Sequence, residues 1–303
     1  MVVLVTGANG QLGQSLQFIA KNYPNIHFVF CSSSDLDITN LESCQAVFLK
    51  IKPNYCINAA AYTAVDKAES EPEKANLINV IGPKNLAAVC KEFSSVLLHI
   101  STDFVFDGDF SKLSDRAQSG GYSENDIPNP TGVYGQTKLD GEKAIQSVFE
   151  NYYIIRTSWV HSQFGNNFMK TMLRLASERD SISVVNDQIG TPTNAVDLAE
   201  CLVKIICNTK LIEVQQPTTD NFGIYNFSNE GQCSWYDFAK EIFKINNIEI
   251  DLKPIPTSSF PTPAKRPKYS VLDKTKIKST FGLEIKNWEE SLKTNCKKTF
   301  LKD

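Results

Sequence analysis

Tyr134 and Lys138, four residues apart in the run Tyr134-Gly135-Gln136-Thr137-Lys138, carry the clearest chemistry in this chain. On a helix that spacing puts both side chains on one face. A free phenol ionises with a pKa of about 10. A neighbouring ammonium stabilises the phenolate and lowers that value, and an oxidised nicotinamide would add further positive charge. Tyr134 could then give its proton to a carbonyl oxygen as hydride reaches the carbon, while Lys138 also donates to a nicotinamide ribose. The spacing alone is not specific, because Tyr236-Asp237-Phe238-Ala239-Lys240 repeats it beside Trp235. That second pair lies on a late amphipathic segment and reads as packing plus a solvated face. The first pair is set apart by Ser101-Thr102-Asp103, which closes the apolar run Val96 to Ser101. A hydroxyl there can hydrogen-bond both a substrate carbonyl and the tyrosine, so Thr102, Tyr134 and Lys138 are the catalytic candidates.

A second signal lies at the start of the chain. Gly7-Ala8-Asn9-Gly10-Gln11-Leu12-Gly13 is G-x-x-G-x-x-G, directly after the apolar run Val2 to Val5 and opening a helical pattern. Glycines in such a turn allow a tight bend, close approach of a pyrophosphate to the backbone, and close packing of helix on strand. The helix N-terminus supplies free N–H groups and a partial positive charge. A dinucleotide is the expected ligand. The acidic residue that often holds an adenosine ribose 2′-hydroxyl is missing, since the second apolar run ends Phe30-Cys31-Ser32-Ser33-Ser34-Asp35. Serines can donate to a 2′-phosphate, which favours NADPH. No arginine stands nearby to pair with that phosphate, so NADH stays open.

The elements that must position these groups alternate through the first half. Strands are expected at Val2 to Val5, Ile26 to Phe30, Tyr55 to Asn58, Val96 to Ser101 and Tyr153 to Val160. Helices are expected at about Gln11 to Asn22, Leu41 to Ile51, Lys74 to Phe93 and within Gly132 to Phe149. This pattern predicts an α/β fold: a Rossmann-type, doubly wound parallel sheet covered on both faces, with ligands at the carboxyl ends of its strands. The connection Asp107 to Asn129 is long, polar and rich in Gly, Ser, Asp and Pro, which marks a functional or disordered loop. After residue 160 the alternation degrades. Ile182 to Val185 reads as a strand and Ala195 to Cys207 as a helix returning to the sheet. Ser234-x-x-Asp237 reads as a capping signature, and Pro254 to Pro267 as extended or looping chain. Residues 1–160, completed by roughly 183–208, are therefore expected to form the NAD(P)-binding domain. Residues 161–303 should mainly form a smaller, discontinuous α/β substrate domain.

Composition bounds the rest. A net charge of -3 over 303 residues argues against a nucleic-acid partner, which calls for a basic surplus. No apolar run approaches the roughly 20 residues of a membrane span, and the N-terminal run lacks the pattern of a secretory leader. The eight cysteines form no C-x-x-C pair and read as reduced, packed thiols. His27, His99 and His161 have no metal-site spacing, so a cytoplasmic enzyme without a structural metal is expected.

With these motifs in place, the chain resembles the dTDP-4-dehydrorhamnose reductases of the extended short-chain dehydrogenase/reductase family. The resemblance runs through Val5 to Gly13, Asn58 to Glu69, Ser101 to Gly108 and Tyr134 to Glu142. It continues in Arg156-Thr157-Ser158-Trp159-Val160, Gly165 to Phe168, Asp187 to Thr193 and Arg266-Pro267. It implies reduction of the 4-keto group of dTDP-6-deoxy-L-lyxo-4-hexulose to dTDP-L-rhamnose, a step towards cell-surface polysaccharide. It implies Gly7, Asn9, Gly10, Gln11, Leu12, Gly13 and Lys138 around the cofactor, with Asp37 and Ile38 near the adenine. It places Ala60, Ala61, Tyr62 and Thr63 along the cofactor, Asn79 close by, and Thr102, Asp103 and Trp159 at the substrate. Arg266 is a diphosphate candidate, because guanidinium pairs bidentately with phosphate oxygens.

Some relatives hold magnesium at a dimer contact with an acidic residue after the glycine turn. Here Ser15 follows Gln14, which puts magnesium and that dimer in doubt and leaves monomer and homodimer open. A dehydratase would need a second acid after Asp103, where Phe104 stands, so reduction is preferred over dehydration. Another nucleotide-sugar reductase or epimerase on this fold stays open, as does a non-catalytic regulatory subunit like that of methionine adenosyltransferase.

Overall fold

The computed structural model describes residues 1–109, 120–209 and 221–299, the side chains of 295–299 excepted. The centre of the polar connection at 110–119 and the Cys296 side chain therefore lie outside the described residues. The first part of the chain runs β1 (Val2–Thr6), α1 (Gln11–Ala20), β2 (His27–Cys31), α2 (Leu41–Ile51), β3 (Tyr55–Asn58), α3 (Val65–Ala68) and α4 (Pro72–Asn76). A π-helical stretch, Leu77–Ile81, joins α4 to α5 (Gly82–Glu92), so continuous helical chain covers the single helix expected there. Next come β4 (Val96–Thr102), α6 (Val133–Val148) and β5 (Tyr152–Thr157). The later chain holds β6 (Val160–His161), α7 (Phe168–Glu178), β7 (Ser181–Val185), β8 (Ile189–Gly190), β9 (Thr193–Asn194) and α8 (Ala195–Asn208). It continues with β10 (Gly223–Asn226), β11 (Cys233–Ser234), α9 (Trp235–Ile245), β12 (Asp251–Ile255), α10 (Thr275–Phe281) and α11 (Trp288–Thr299).

The main sheet is parallel throughout, in the order β10-β5-β4-β3-β1-β2. Val3, Leu4 and Val5 are fully buried because both faces of the sheet are covered. One core holds Leu16 and Ile19 of α1 with Leu198, Leu202 and Ile205 of α8, and the other holds Phe48 of α2, Leu86 of α5 and Ile145 of α6. This is the doubly wound α/β arrangement read from the sequence. The strand order reverses between β1 and β3, and the crevice outside their carboxyl ends is where such sheets bind ligands.

Two expectations change. The segment Ile182 to Val185 does not join the main sheet; the strand there, β7, pairs in parallel with β12. Only Ile182 and Val184 of β7 are buried, and a strand with one wet face cannot sit inside a sheet covered on both sides. Of the returning stretch, α8 is the part that packs on the main sheet. The sixth strand of that sheet is β10, four residues long, which sequence periodicity does not pick out. The fifth strand also stops early, at Thr157, because Trp159 takes a left-handed φ of 46° and turns the chain out of the ladder.

A third core gathers the later elements, with Met169 and Met172 of α7, Phe238 and Ile242 of α9, and Trp288 and Leu292 of α11. The capping signature at α9 is realised in full: Ser234 Oγ accepts from the Asp237 N–H (3.0 Å), and the Asp237 carboxylate accepts from the Ser234 N–H (3.1 Å). Tyr236 of the second tyrosine–lysine pair packs against this core and Lys240 is exposed, as the packing reading holds. Of the seven described cysteines six are buried, Cys207 is exposed, and all are free thiols. No helix among the described residues is long and apolar enough to cross a membrane.

Candidate active site

The glycine turn follows β1 at the strand-order reversal. Gly7 has φ +66°, and a Cβ there would lie 2.7 Å from the Ala59 carbonyl carbon and the Ala60 nitrogen. A Cβ on Gly13 would lie 2.3 Å from the Gly7 oxygen, so α1 starts hard against the turn. Gly10 precedes α1 and makes no side-chain cap, leaving the first N–H groups of the helix to an outside anion. Asn9 is exposed beside it and Leu12 is buried under the helix. Gln11 turns the other way: its Oε1 accepts from Ser162 Oγ (3.1 Å) and Asn167 Nδ2 (2.9 Å), tying α1 to the chain after β6. The cradle is one that side chains would fill, and it fits a dinucleotide.

Most of the remaining cofactor candidates follow β2 and β3, the two neighbours of β1 in the sheet. Asp37 is exposed, with Oδ1 accepting from the Thr39 N–H and hydroxyl, while Ile38 is buried against Gly82. Ala60 and Ala61 are half-buried and Thr63 is exposed. Asn79, buried in the π-helical stretch, holds both main-chain groups of Tyr62: Oδ1 accepts from its N–H (2.9 Å) and Nδ2 donates to its carbonyl (3.1 Å). Asn79 therefore fixes the loop after β3 from beneath. At the end of β2 the sequence reading needs amendment. The Ser32 hydroxyl and N–H both donate to Asp35 (2.6 and 2.9 Å), so a carboxylate does sit at this strand end, brought back by a turn. Those hydrogen bonds hold Asp35 below the usual carboxylate range, and it stays ionised.

Helix α6 delivers the tyrosine and lysine. Its first turn is capped from afar, with the Val133 N–H donating to Glu69 Oε1 (2.9 Å). Gly135 lets the helix touch the chain after β4, since a Cβ there would lie 2.2 Å from the Phe104 oxygen. Gly141 does the same against the Asn79 oxygen. Tyr134 is thereby hydrogen-bonded to Thr102 and lies edge-on to Phe104, ring centroids 5.5 Å apart. Lys138 is buried, and its Nζ donates to the Ile100 carbonyl (2.6 Å) and lies 3.2 Å from His99 Nε2.

The electrostatics follow from burial. Desolvation pushes the Tyr134 phenol up to about 12, with Asp103 adding to the rise and Thr102 opposing it. The ammonium effect anticipated from sequence does not prevail in this state, and the phenol keeps its proton. Desolvation likewise lowers Lys138 to about 8, against the pull of Glu142. Asp103 is buried and raised to about 6 by desolvation, opposed by hydrogen bonds from Ser270 and Thr102. Beneath the pair, Glu142 is held bidentately by Arg156 (3.0 and 2.7 Å) and accepts from Ser101, a buried network that sequence reasoning did not find. Its signal was a lone charge in an apolar strand, which is rarely left unpaired.

The substrate candidates are less alike. Trp159 stacks on Trp235 with centroids 3.6 Å apart, so one indole face is covered. Arg266 pairs bidentately with Asp66 (3.0 and 2.8 Å), a contact absent from the sequence reading, and lines a cavity of about 930 Å³ with Phe168, Arg179, Gln188 and Trp235. Ser15 is fully buried, its hydroxyl on the Gln11 carbonyl. Among the described residues no cluster of three or more His, Cys, Asp or Glu groups could hold a metal ion.

Known proteins match this chain along nearly its whole length. The family described as RmlD substrate binding domain matches residues 1–300. A dTDP-4-dehydrorhamnose reductase of Aggregatibacter actinomycetemcomitans is 42% identical, covering 96% of this chain and 97% of its own. The chain belongs to the dTDP-4-dehydrorhamnose reductase family. Its members are NAD(P)H-dependent oxidoreductases. The Escherichia coli K12 reductase is 38% identical over 99% of this chain and 98% of its own. Among solved structures, a Bacillus anthracis dTDP-4-dehydrorhamnose reductase in complex with NADP superposes with a TM-score of 0.87 at 39% identity, covering 98% of this chain and 99% of that one. A Thermus thermophilus UDP-glucose 4-epimerase, 16% identical with a TM-score of 0.79, shares the fold alone.

Proposed function

We propose that this chain reduces the 4-keto group of dTDP-6-deoxy-L-lyxo-4-hexulose to give dTDP-L-rhamnose, with NADPH as the favoured reductant, which the NADP complex of the Bacillus anthracis relative supports despite the Asp35 carboxylate, and NADH accepted. The observation that carries the reading is Tyr134, protonated and hydrogen-bonded to Thr102 at the carboxyl end of β4, one helical turn from buried Lys138. The N–H groups at Gly10 to Gly13 would hold the pyrophosphate, Asp37 and Ile38 would flank the adenine, and Ala60 to Thr63 would line the rest. A reduced nicotinamide bound there supplies the hydride. Thr102 orients the substrate carbonyl, and Tyr134 gives its proton to the carbonyl oxygen as negative charge develops. Lys138 donates towards the cofactor ribose and the tyrosine. Asp103 and Trp159 would contact the sugar. Arg266 would meet the diphosphate with the guanidinium edge that Asp66 leaves free.

We also propose that the main sheet and its helices hold the cofactor, while the later chain around the third core closes over the sugar nucleotide. The test is to follow NADPH and NADH absorbance with the 4-keto dTDP-sugar and to identify the product by NMR. Stoichiometric oxidation with formation of dTDP-L-rhamnose is expected. Cofactor binding without turnover would point instead to a non-catalytic, partner-binding role.

A further inference from the structure

His99 lies on β4 with no exposed surface, and the proposed reduction gives it no task. Its two ring nitrogens face two nitrogen partners. Nδ1 is 3.0 Å from Asn58 Nδ2, and Nε2 is 3.2 Å from Lys138 Nζ. Asn58 cannot readily turn its oxygen towards the ring, because Oδ1 already accepts from Thr6 Oγ1 (2.7 Å) and the Ala60 N–H (3.2 Å). An amide nitrogen donates and does not accept, so Nδ1 must carry the lone pair. Burial beside Lys138 keeps the imidazole neutral, and its one proton then sits on Nε2. Nε2–H points at Nζ. An ammonium has no lone pair to receive it, but an amine does.

We propose that His99, held in one tautomer by Asn58, is a positioning residue that donates Nε2–H to Lys138 and stabilises its uncharged amine. This rests on the reductase reading for its use: only the ammonium carries the charge and donors that the ribose and Tyr134 call for, so stabilising the amine sets the pH above which turnover falls. The other charged groups around Lys138 do not displace His99 from this role. Glu142, on the same helix, pulls Lys138 towards the ammonium but is shared with Arg156 of β5, while Asp103 at the end of β4 acts on Tyr134.

The first test needs neither substrate nor cofactor. Long-range ¹H–¹⁵N correlation on ¹⁵N-histidine-labelled protein reads each tautomer, and the chain has only three histidines. His99 is assigned by elimination with His27→Gln and His161→Phe, so no His99 variant has to fold. The expected result is a neutral ring protonated on Nε2 at about pH 9, where Lys138 with its pKa of about 8 is an amine, and no charging of the ring from pH 5 to 8. A proton on Nδ1, or a doubly protonated ring, would overturn the proposal. In Asn58→Asp, where the side chain can only accept, the proton should move to Nδ1, and the alkaline fall in kcat/KM should shift to higher pH. An unchanged pH profile alongside a switched tautomer would remove the link to Lys138 while leaving the reductase reading intact.

Discussion

Gly135→Ala tests whether α6 is held by backbone contact at the distance catalysis needs. The added Cβ would lie 2.2 Å from the Phe104 carbonyl oxygen, and that atom belongs to backbone fixed by the Thr102 hydroxyl. Restoring ordinary contact requires the helix to retreat by about 1 Å, and the Tyr134–Thr102 hydrogen bond spans the same gap. Overpacking of this kind costs about 1–3 kcal/mol, which lowers the melting temperature by roughly 2–5 °C in a protein of this size. A misplacement of about 1 Å at a reacting group costs on the order of 10²-fold in rate. The assay is NADPH oxidation with the 4-keto dTDP-sugar, alongside a thermal melt. The expected result is a folded protein whose kcat falls about a hundredfold while NADPH affinity changes little, because the glycine turn is remote. A folded variant with wild-type kcat would refute the claim that this contact sets the position of Tyr134.

Asp103 and Asp35 give two further expectations. Asp103 is buried with its pKa raised to about 6, so the folded state holds a proton that the unfolded chain releases near pH 4. Its stabilising preference is therefore complete below about pH 4 and is lost as pH rises through about 6, a change of roughly 3 kcal/mol. Denaturant melts from pH 4 to 7 should show this decline in wild type and a flatter curve in Asp103→Asn; equal slopes would contradict the assignment. Asp35→Asn removes the carboxylate held at the end of β2 and should shift the NADPH-to-NADH preference about tenfold towards NADPH, since a 2′-phosphate is no longer repelled. Steady-state KM values for both cofactors check this, and an unchanged ratio would place the 2′ position elsewhere.

Local pattern was enough to read the glycine turn, the alternation of strands and helices, and the α9 capping box, because each is written within a few consecutive residues. Thr102 and Tyr134 were legible as a pair because a parallel sheet delivers strand ends to one edge. What escaped was set by tertiary contact. Asp35 folds back onto Ser32 through a turn that the strand-end rule does not foresee. Arg266 finds Asp66 two hundred residues away. β10, four residues long, is too short to show a period. The rise in the Tyr134 pKa was missed for a related reason: sequence places a lysine nearby, but the depth of burial decides which influence wins.

Tyr134→Phe bears most directly on the account, because phenylalanine keeps the ring against Phe104 and has no proton to give. With saturating NADPH and the 4-keto dTDP-sugar, the variant should bind cofactor as wild type does and lose about 10²–10⁴-fold in kcat. A variant that turns over at the wild-type rate would contradict the assignment of Tyr134 as the proton donor.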